Sequence, residues 1–389
     1  ITVKSASGIV VGRNYVGGIA GFNDVNGELD VHYTLIGGRI YAYGDCAGGG
    51  FGLNASQKLL SQELMIKPRS INGRYYVGGC IGANVVELTA DITMDQFRAD
   101  NVLGTITGKA FCGGIIGYQR TYTKADLPGI SADGSIREAV EEMQNGNTQR
   151  LLPGLQAGTN IPQSVKTSGN TYTLTLETAD NSSSSLKTET NNIPIQAGMY
   201  AGGIIGYCEK SSKLIIRNCK NAGNISNIQD GSDDGVRLDL YAKSEEIGKS
   251  SMPQSADDLS LHLVGGIIGV NLENQVIDHC ANTGSMSGYS GIGGVVGLNA
   301  GLIYKCTLSE HFGNAALNYL GGIAGINIGD NDKNRIYYEK TNTGSKKVAY
   351  TAGTIQQCST QSRKTISGNS NLGGIVGWNL TEGILKKNT

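Results

Sequence analysis

The sequence is short of most features that announce an activity. Its 389 residues include 6 Pro, 1 Trp and 5 Phe. So little proline excludes collagen and proline-rich disorder. Charged residues make up 17 % of the chain, against ~25 % in an average domain. The 32 Lys and Arg nearly cancel the 33 Asp and Glu, leaving a formal charge of -1. That balance gives no field to recruit nucleic acid or an anionic membrane. No apolar run approaches the ~18 residues of a membrane span. The opening ITVKSASGIV has no basic segment followed by an apolar one, so no signal peptide is read. The chain is expected to be a mature or excised piece of something longer.

Catalytic motifs are missing too. His32, His262, His279 and His311 are the four histidines, and none stands in H-E-x-x-H. There is no G-x-S-x-G, no P-loop and no C-x-x-C. The 8 Cys lack paired spacing, which argues against a disulfide framework and for free thiols.

What the chain has in excess is glycine, 58 residues of it. The glycines are ordered. The pattern G-G-x-x-G occurs nine times, beginning at Gly17, Gly48, Gly78, Gly113, Gly202, Gly265, Gly293, Gly321 and Gly373. Successive copies lie 31, 30, 35, 89, 63, 28, 28 and 52 residues apart, so three intervals read as one unit plus an insertion. Two residues beyond the last glycine, asparagine recurs at Asn23, Asn54, Asn84, Asn271, Asn299, Asn327 and Asn379. A second segment closes a short β-branched run with cysteine, at Cys219, Cys280, Cys306 and Cys358.

Apolar runs of four to six residues bounded by Gly, Asn and Ser are strand signatures. A unit of two or three short strands cannot bury its own face, but stacked on its neighbours it can. The expected fold is therefore all-β: a parallel β-helix, or β-solenoid, of about nine or more turns of roughly 28–31 residues, with a small mixed α/β insertion. Stacked turns lie ~4.8 Å apart. The asparagines are then expected to form one amide ladder and the cysteines one buried column.

Three stretches break the period. The expected organisation is 1–118 as β-helix turns, 119–197 as an insertion and 198–389 as further turns with loops near 227–260 and 329–352. Within the insertion, Ile136, Val140 and Met143 have the spacing of a short amphipathic helix, and TYTLTLET alternates like a hairpin strand. Insertions in repeat proteins often carry binding. Asp230, Ser232 and Asp234 open like a calcium loop, but Tyr241 stands where the bidentate acid belongs, so they are weak Ca²⁺ candidates. Asp330, Asp332 and Asn334 are a second, equally incomplete set. No other cofactor and no catalytic residue is proposed. The aromatics before G-G, namely Tyr15, Tyr75, Tyr76, Phe111 and Tyr200, read either as corner packing or as a glycan platform.

The run GGIIGVN…VIDHCANTGSMSG…GGVVGLN resembles the GLUG repeat, most strongly over 264–330 and more loosely over 1–118 and 198–389. Departures fall at Gln119 and Cys208, which replace the asparagine, and at GGGFG in the second copy. The resemblance implies a non-catalytic structural or adhesive segment of a large bacterial cell-surface or secreted protein. It would be extracellular, with a host glycoprotein, mucin or glycan and neighbouring domains of the same chain as partners. The alternatives are the accessory region of a secreted metallopeptidase, a glycan-active β-helix enzyme, or an immunoglobulin-binding surface module.

Overall fold

A computed structural model describes residues 2–24, 26–88, 91–94, 97–99, 104–122, 173–177, 193–208, 213–227, 262–309, 316–361, 366–380 and 382–389. Among these residues every regular element is a strand, and nearly all pairing is parallel. The candidate helix around Ile136, the calcium candidates Asp230, Ser232 and Asp234, and His311 lie outside the described residues.

The best-preserved stretch shows how the repeat is used. From Val264 the chain contributes Val264–Gly265 to a 14-stranded sheet, Ile268–Asn271 to a nine-stranded sheet, Gln275–Asp278 to a seven-stranded sheet and Ala281–Asn282 to a four-stranded sheet. It then returns to the first sheet at Met286–Ser287 and Ser290–Gly293, completing one coil, and begins again. Each return adds a strand beside the previous one, in parallel. Ile268 pairs with Val296 and Asn271 with Asn299. The nine strands of the nine-stranded sheet are the nine segments that come after the G-G pairs, from Ala20–Asn23 to Val376–Asn379. This order is compatible with the expected β-helix.

The main core runs inside the coils, in columns of like residues. Val10, Ile40, Ile71, Ile106 and Ile195 pair in succession, and all but Val10 are fully buried. A second core lies between the nine-stranded sheet and the corner that precedes each G-G. The residue two before G-G has a left-handed backbone at Tyr15, Cys46, Tyr76, Phe111, Tyr200, Tyr319 and Asn371, with φ between 49° and 63°. For a bulky residue that conformation costs ~1–2 kcal/mol. The rings offset it by stacking coil on coil: Tyr76 on Phe111 at 5.2 Å and Phe111 on Tyr200 at 5.3 Å, each 11° from parallel. Tyr76, Phe111 and Tyr200 are buried, which overturns the glycan-platform reading for these three: no sugar reaches them.

The doubled glycine has a steric cause. A Cβ on the first glycine of each pair would overlap the carbonyl oxygen three residues ahead, as at Gly78 against Ile81 and Gly293 against Val296. A Cβ on the second would overlap the carbonyl oxygen of the second glycine in the next coil, as at Gly266 against Gly294. The first glycine permits the fold-back within a coil, and the second permits the stacking of coils.

Two segments expected to interrupt the repeat are built as strands. Thr173–Glu177, in the stretch 119–197, pairs in parallel with Ile92–Met94 and with Lys213–Arg217, so it is a rung of the seven-stranded sheet. Asp330–Thr341 and Gly344–Ala352, in the stretch 329–352, form an antiparallel hairpin. Its Tyr337, Val348 and Tyr350 cover Val276, Leu302 and Tyr304 on the outside of the seven-stranded sheet.

Candidate functional site

The recurring residues meet one another inside the stack. In the nine-stranded sheet each side-chain amide donates Nδ2 to the Oδ1 of the next coil. Asn23 to Asn54, Asn54 to Asn84, Asn271 to Asn299, Asn299 to Asn327 and Asn327 to Asn379 are all 2.7 Å. Gln119 continues the first run, accepting from Asn84 at 2.7 Å on Oε1. The next coil places Cys208 opposite Gln119, and a thiol cannot extend an amide ladder. The break leaves two buried atoms with no hydrogen-bond partner: Nε2 of Gln119, the donor end of one run, and Oδ1 of Asn271, the acceptor end of the other. A second amide rung, not foreseen from the sequence, joins Asn221 Nδ2 to Asn282 Oδ1 at 2.8 Å. Its signal is an asparagine two residues after the cysteine in both segments.

Cys219, Cys280, Cys306 and Cys358 form a buried column of free thiols. The residue before each is left-handed: Asn218, His279, Lys305 and Gln357. That turn ends the strand, and the thiol supplies a weak donor to the carbonyl two residues back. Cys280 Sγ lies 3.3 Å from the oxygen of Asp278, and Cys306 Sγ lies 3.4 Å from that of Tyr304. Each thiol also approaches a carbonyl of the preceding coil, Ile216 for Cys280 at 3.4 Å and Ile277 for Cys306 at 3.5 Å. Burial pushes the thiols of Cys280, Cys306 and Cys358 well above the ordinary 9.0, so they are neither nucleophiles nor thiolate ligands.

The densest polar cluster lies where the hairpin meets the stack. Asp278 ends the strand Gln275–Asp278 and is buried. Its Oδ1 is 2.6 Å from Nδ1 of His279. Its Oδ2 accepts from the Tyr337 hydroxyl at 2.6 Å and from Arg217 Nε at 3.2 Å. Arg217 also donates through NH2 to the Tyr337 oxygen at 2.8 Å. One rung higher, Glu339 accepts from the Tyr304 hydroxyl at 3.0 Å and is bonded to the Lys305 ammonium. His279 Nε2 stands 3.7 Å from Glu339 Oε1, between the two carboxylates.

Burial alone would raise the pKa of Asp278. Hydrogen bonds from His279 and Tyr337, with the charges of His279 and Arg217, outweigh it and hold the carboxyl below its ordinary value. Burial likewise opposes ionisation of Glu339, and the bonds from Lys305 and Tyr304 overcome it. Burial, then the Asp278 charge, pushes the Tyr337 phenol up. Ionised and filled with donors, the two carboxylates tie the hairpin to the strands beneath it. A general acid needs the opposite shift. Among the described residues no group of three His, Cys, Asp or Glu is placed to hold a metal ion. Of the second calcium set, Asp330 and Asp332 lie within the hairpin strand and Asn334 is exposed.

His32 and His262 stand apart from this cluster; His262 Nδ1 is 2.5 Å from the oxygen of Gly198. Comparison with protein-family models, with curated proteins and with solved structures finds no match.

Proposed function

We propose that the chain is a parallel β-helix serving as a non-catalytic structural and adhesive segment of a bacterial surface or secreted protein. One observation carries this reading. The residues that recur with the repeat are consumed within the stack: glycines in coil contacts, asparagines in the amide ladder, cysteines in the thiol column. The repeat therefore builds a shaft, and recognition is left to what departs from it. The hairpin 330–352 is such a departure. Its inner face is locked to the shaft by Arg217, Asp278 and Glu339, and its outer face presents Ile336, Tyr338, Lys340 and Lys347 to solvent. Ile336 and Tyr338 are 50 % and 58 % exposed. An apolar and aromatic patch flanked by lysines suits an anionic, sialylated or sulfated host glycan.

The test is a glycan and host-glycoprotein binding screen of the 389-residue chain beside a variant with residues 331–351 replaced by a short Gly-Ser linker. Binding by the intact chain that is lost in the variant, with the far-ultraviolet β spectrum kept, is the expected result. Binding by neither protein would refute the adhesive reading. Binding by both would move recognition to another departure, the stretch 119–197 first.

A further inference from the structure

We propose that the outer wall of the 14-stranded sheet carries a binding surface for a linear anionic polysaccharide, centred on Arg39, Tyr43 and Arg69. On this wall Ile9–Gly12, Arg39–Ala42, Ser70–Asn72 and Ile106–Gly113 lie side by side. Alternation decides which side chains face out. Ile40 and Ile71 are fully buried in the core column, so Arg39, Tyr41, Ser70 and Asn72 face outwards. Arg39 is level with Ser70, and Tyr41 with Asn72.

The charge of this wall is one-sided. The segments 9–14, 39–45, 69–75 and 104–110 hold five cations, Arg13, Arg39, Arg69, Arg74 and Lys109, against one acid, Asp45. Asp45 is buried and accepts from Arg74 Nε at 3.3 Å. Among the described residues no carboxylate lies within ion-pair distance of Arg13, Arg39 or Arg69. A chain of formal charge -1 thus concentrates a positive field here. The field does not belong to the repeat. The row through Tyr41 and Asn72 continues as Thr107, Gln196, Ser226 and Ser287, all neutral.

An aromatic ring stands among the cations. Tyr43 is 80 % exposed, more than any other large apolar side chain among the described residues. Its N–H donates to Gly12 O at 3.0 Å in the coil below, and Arg74 N–H donates to Gly44 O at 2.8 Å from the coil above. A described coil therefore flanks it on both sides, and its exposure is that of a side wall. Arg69 N–H donates to Gly38 O at 2.8 Å, which sets Arg69 beside Arg39. From Arg39 to Tyr43 the wall spans ~13 Å along the strand, and three coils add ~10 Å across it. Guanidinium forks pair two-pronged with oxyanions, and an exposed phenol ring takes the apolar face of a sugar. Single-stranded nucleic acid needs successive rings for successive bases. This wall presents one, because Tyr41 is half-buried and receives the Ser70 hydroxyl at 3.3 Å. The inference extends the adhesive reading to a surface apart from the hairpin, and its variants leave the hairpin intact, so the two fail separately.

The experiment is calorimetric titration of the 389-residue chain with a heparin-derived oligosaccharide, beside neutral dextran and oligo(dT), with hydrogen exchange of the same mixtures. The intact chain is expected to bind the heparin fragment and not dextran, with exchange slowed over 39–45 and 69–75. Arg39→Ser combined with Arg69→Ser should weaken binding by about tenfold. Tyr43→Ala, a separate probe of the same wall, should weaken it by about threefold. Both variants should keep the melting temperature, because neither touches the core column. No binding of the heparin fragment by the intact chain would overturn the proposal. Unchanged affinity in either variant, or slowed exchange confined to 330–352, would overturn it equally. Tighter binding of oligo(dT) than of the heparin fragment would replace it with a nucleic-acid surface.

Discussion

Cys208→Asn should stabilise the chain, and the size of the gain is set by the two atoms the native thiol leaves behind. Gln119 Nε2 and Asn271 Oδ1 are buried and without a hydrogen-bond partner. A buried polar group in that state costs ~1–3 kcal/mol. An asparagine at 208 would accept from Gln119 and donate to Asn271, joining two runs that already keep 2.7 Å steps. Its own amide arrives with both partners in place, so its burial costs little. Part of the gain is offset by the buried thiol that is removed, which leaves a net of about 2 kcal/mol. Spread over one cooperative unit of 389 residues, at ~2.1 cal/mol/K per residue, this raises the melting temperature by about 2 °C. A smaller cooperative unit gives a larger shift. The decisive control is Cys208→Val, which keeps the volume apolar and both orphans in place. Thermal and urea melts of the three proteins, with hydrogen exchange at the amides of 205–208 and 268–271, read the outcome. A gain for Asn and none for Val supports the reasoning. No gain for Asn, or an equal gain for Val, refutes it.

The same contacts set three further outcomes. Gly294→Ala should destabilise the stack by several kcal/mol, because its Cβ overlaps the backbone oxygen of Gly322, and urea melts should show it. All eight cysteines are buried and outside any disulfide, so the folded protein should resist alkylation at pH 8, and all eight should react once it is denatured, as counted by mass spectrometry. The hairpin lock should be acid-sensitive. Asp278 and Glu339 lie below their ordinary values of 3.8 and 4.5 in the fold, so the native state binds fewer protons than the unfolded one. Their contribution is full above those ordinary values and is lost as the pH falls below them. Protection of the Val348 and Tyr350 amides, measured against intrinsic exchange at the same pH, should therefore fall below pH ~4. Asp278→Asn should show part of that loss of protection already at pH 7; no change in either condition would remove the lock.

The repeat was legible in the sequence because its physics is positional. Asn271, Asn299 and Asn327 each lie two residues beyond a glycine whose place is fixed by backbone contact, so the spacing survives every insertion. The second glycine of each pair, which the sequence displays without explaining, has a cause visible only when two coils are side by side: the carbonyl that excludes a methyl at Gly266 belongs to Gly294. Thr173–Glu177 was hidden for the complementary reason. Its alternation marked a strand, but the partners that place it in the seven-stranded sheet are Ile92–Met94 and Lys213–Arg217, far away in sequence on both sides.

The hairpin lock lay beyond sequence reasoning altogether. Asp278, Tyr304 and Lys305 sit where other coils carry different residues, and Tyr337 and Glu339 come from a segment with no counterpart in the repeat. Nothing in their spacing links them. They converge because the outer face of the seven-stranded sheet is apolar at Val276 and Leu302 and needs a cover. Once Tyr337 and Val348 supply that cover, Asp278 and Glu339 are cut off from water and must find donors nearby. The polar network is thus a consequence of docking the hairpin, and the register it enforces keeps Ile336 and Tyr338 on the outside. Replacing Tyr337 by Phe would keep the cover and remove one donor to Asp278. It should loosen the hairpin by about 1.5–3 kcal/mol, the worth of a hydrogen bond to a charged group. The coils beneath it, whose contacts it does not touch, should melt as before.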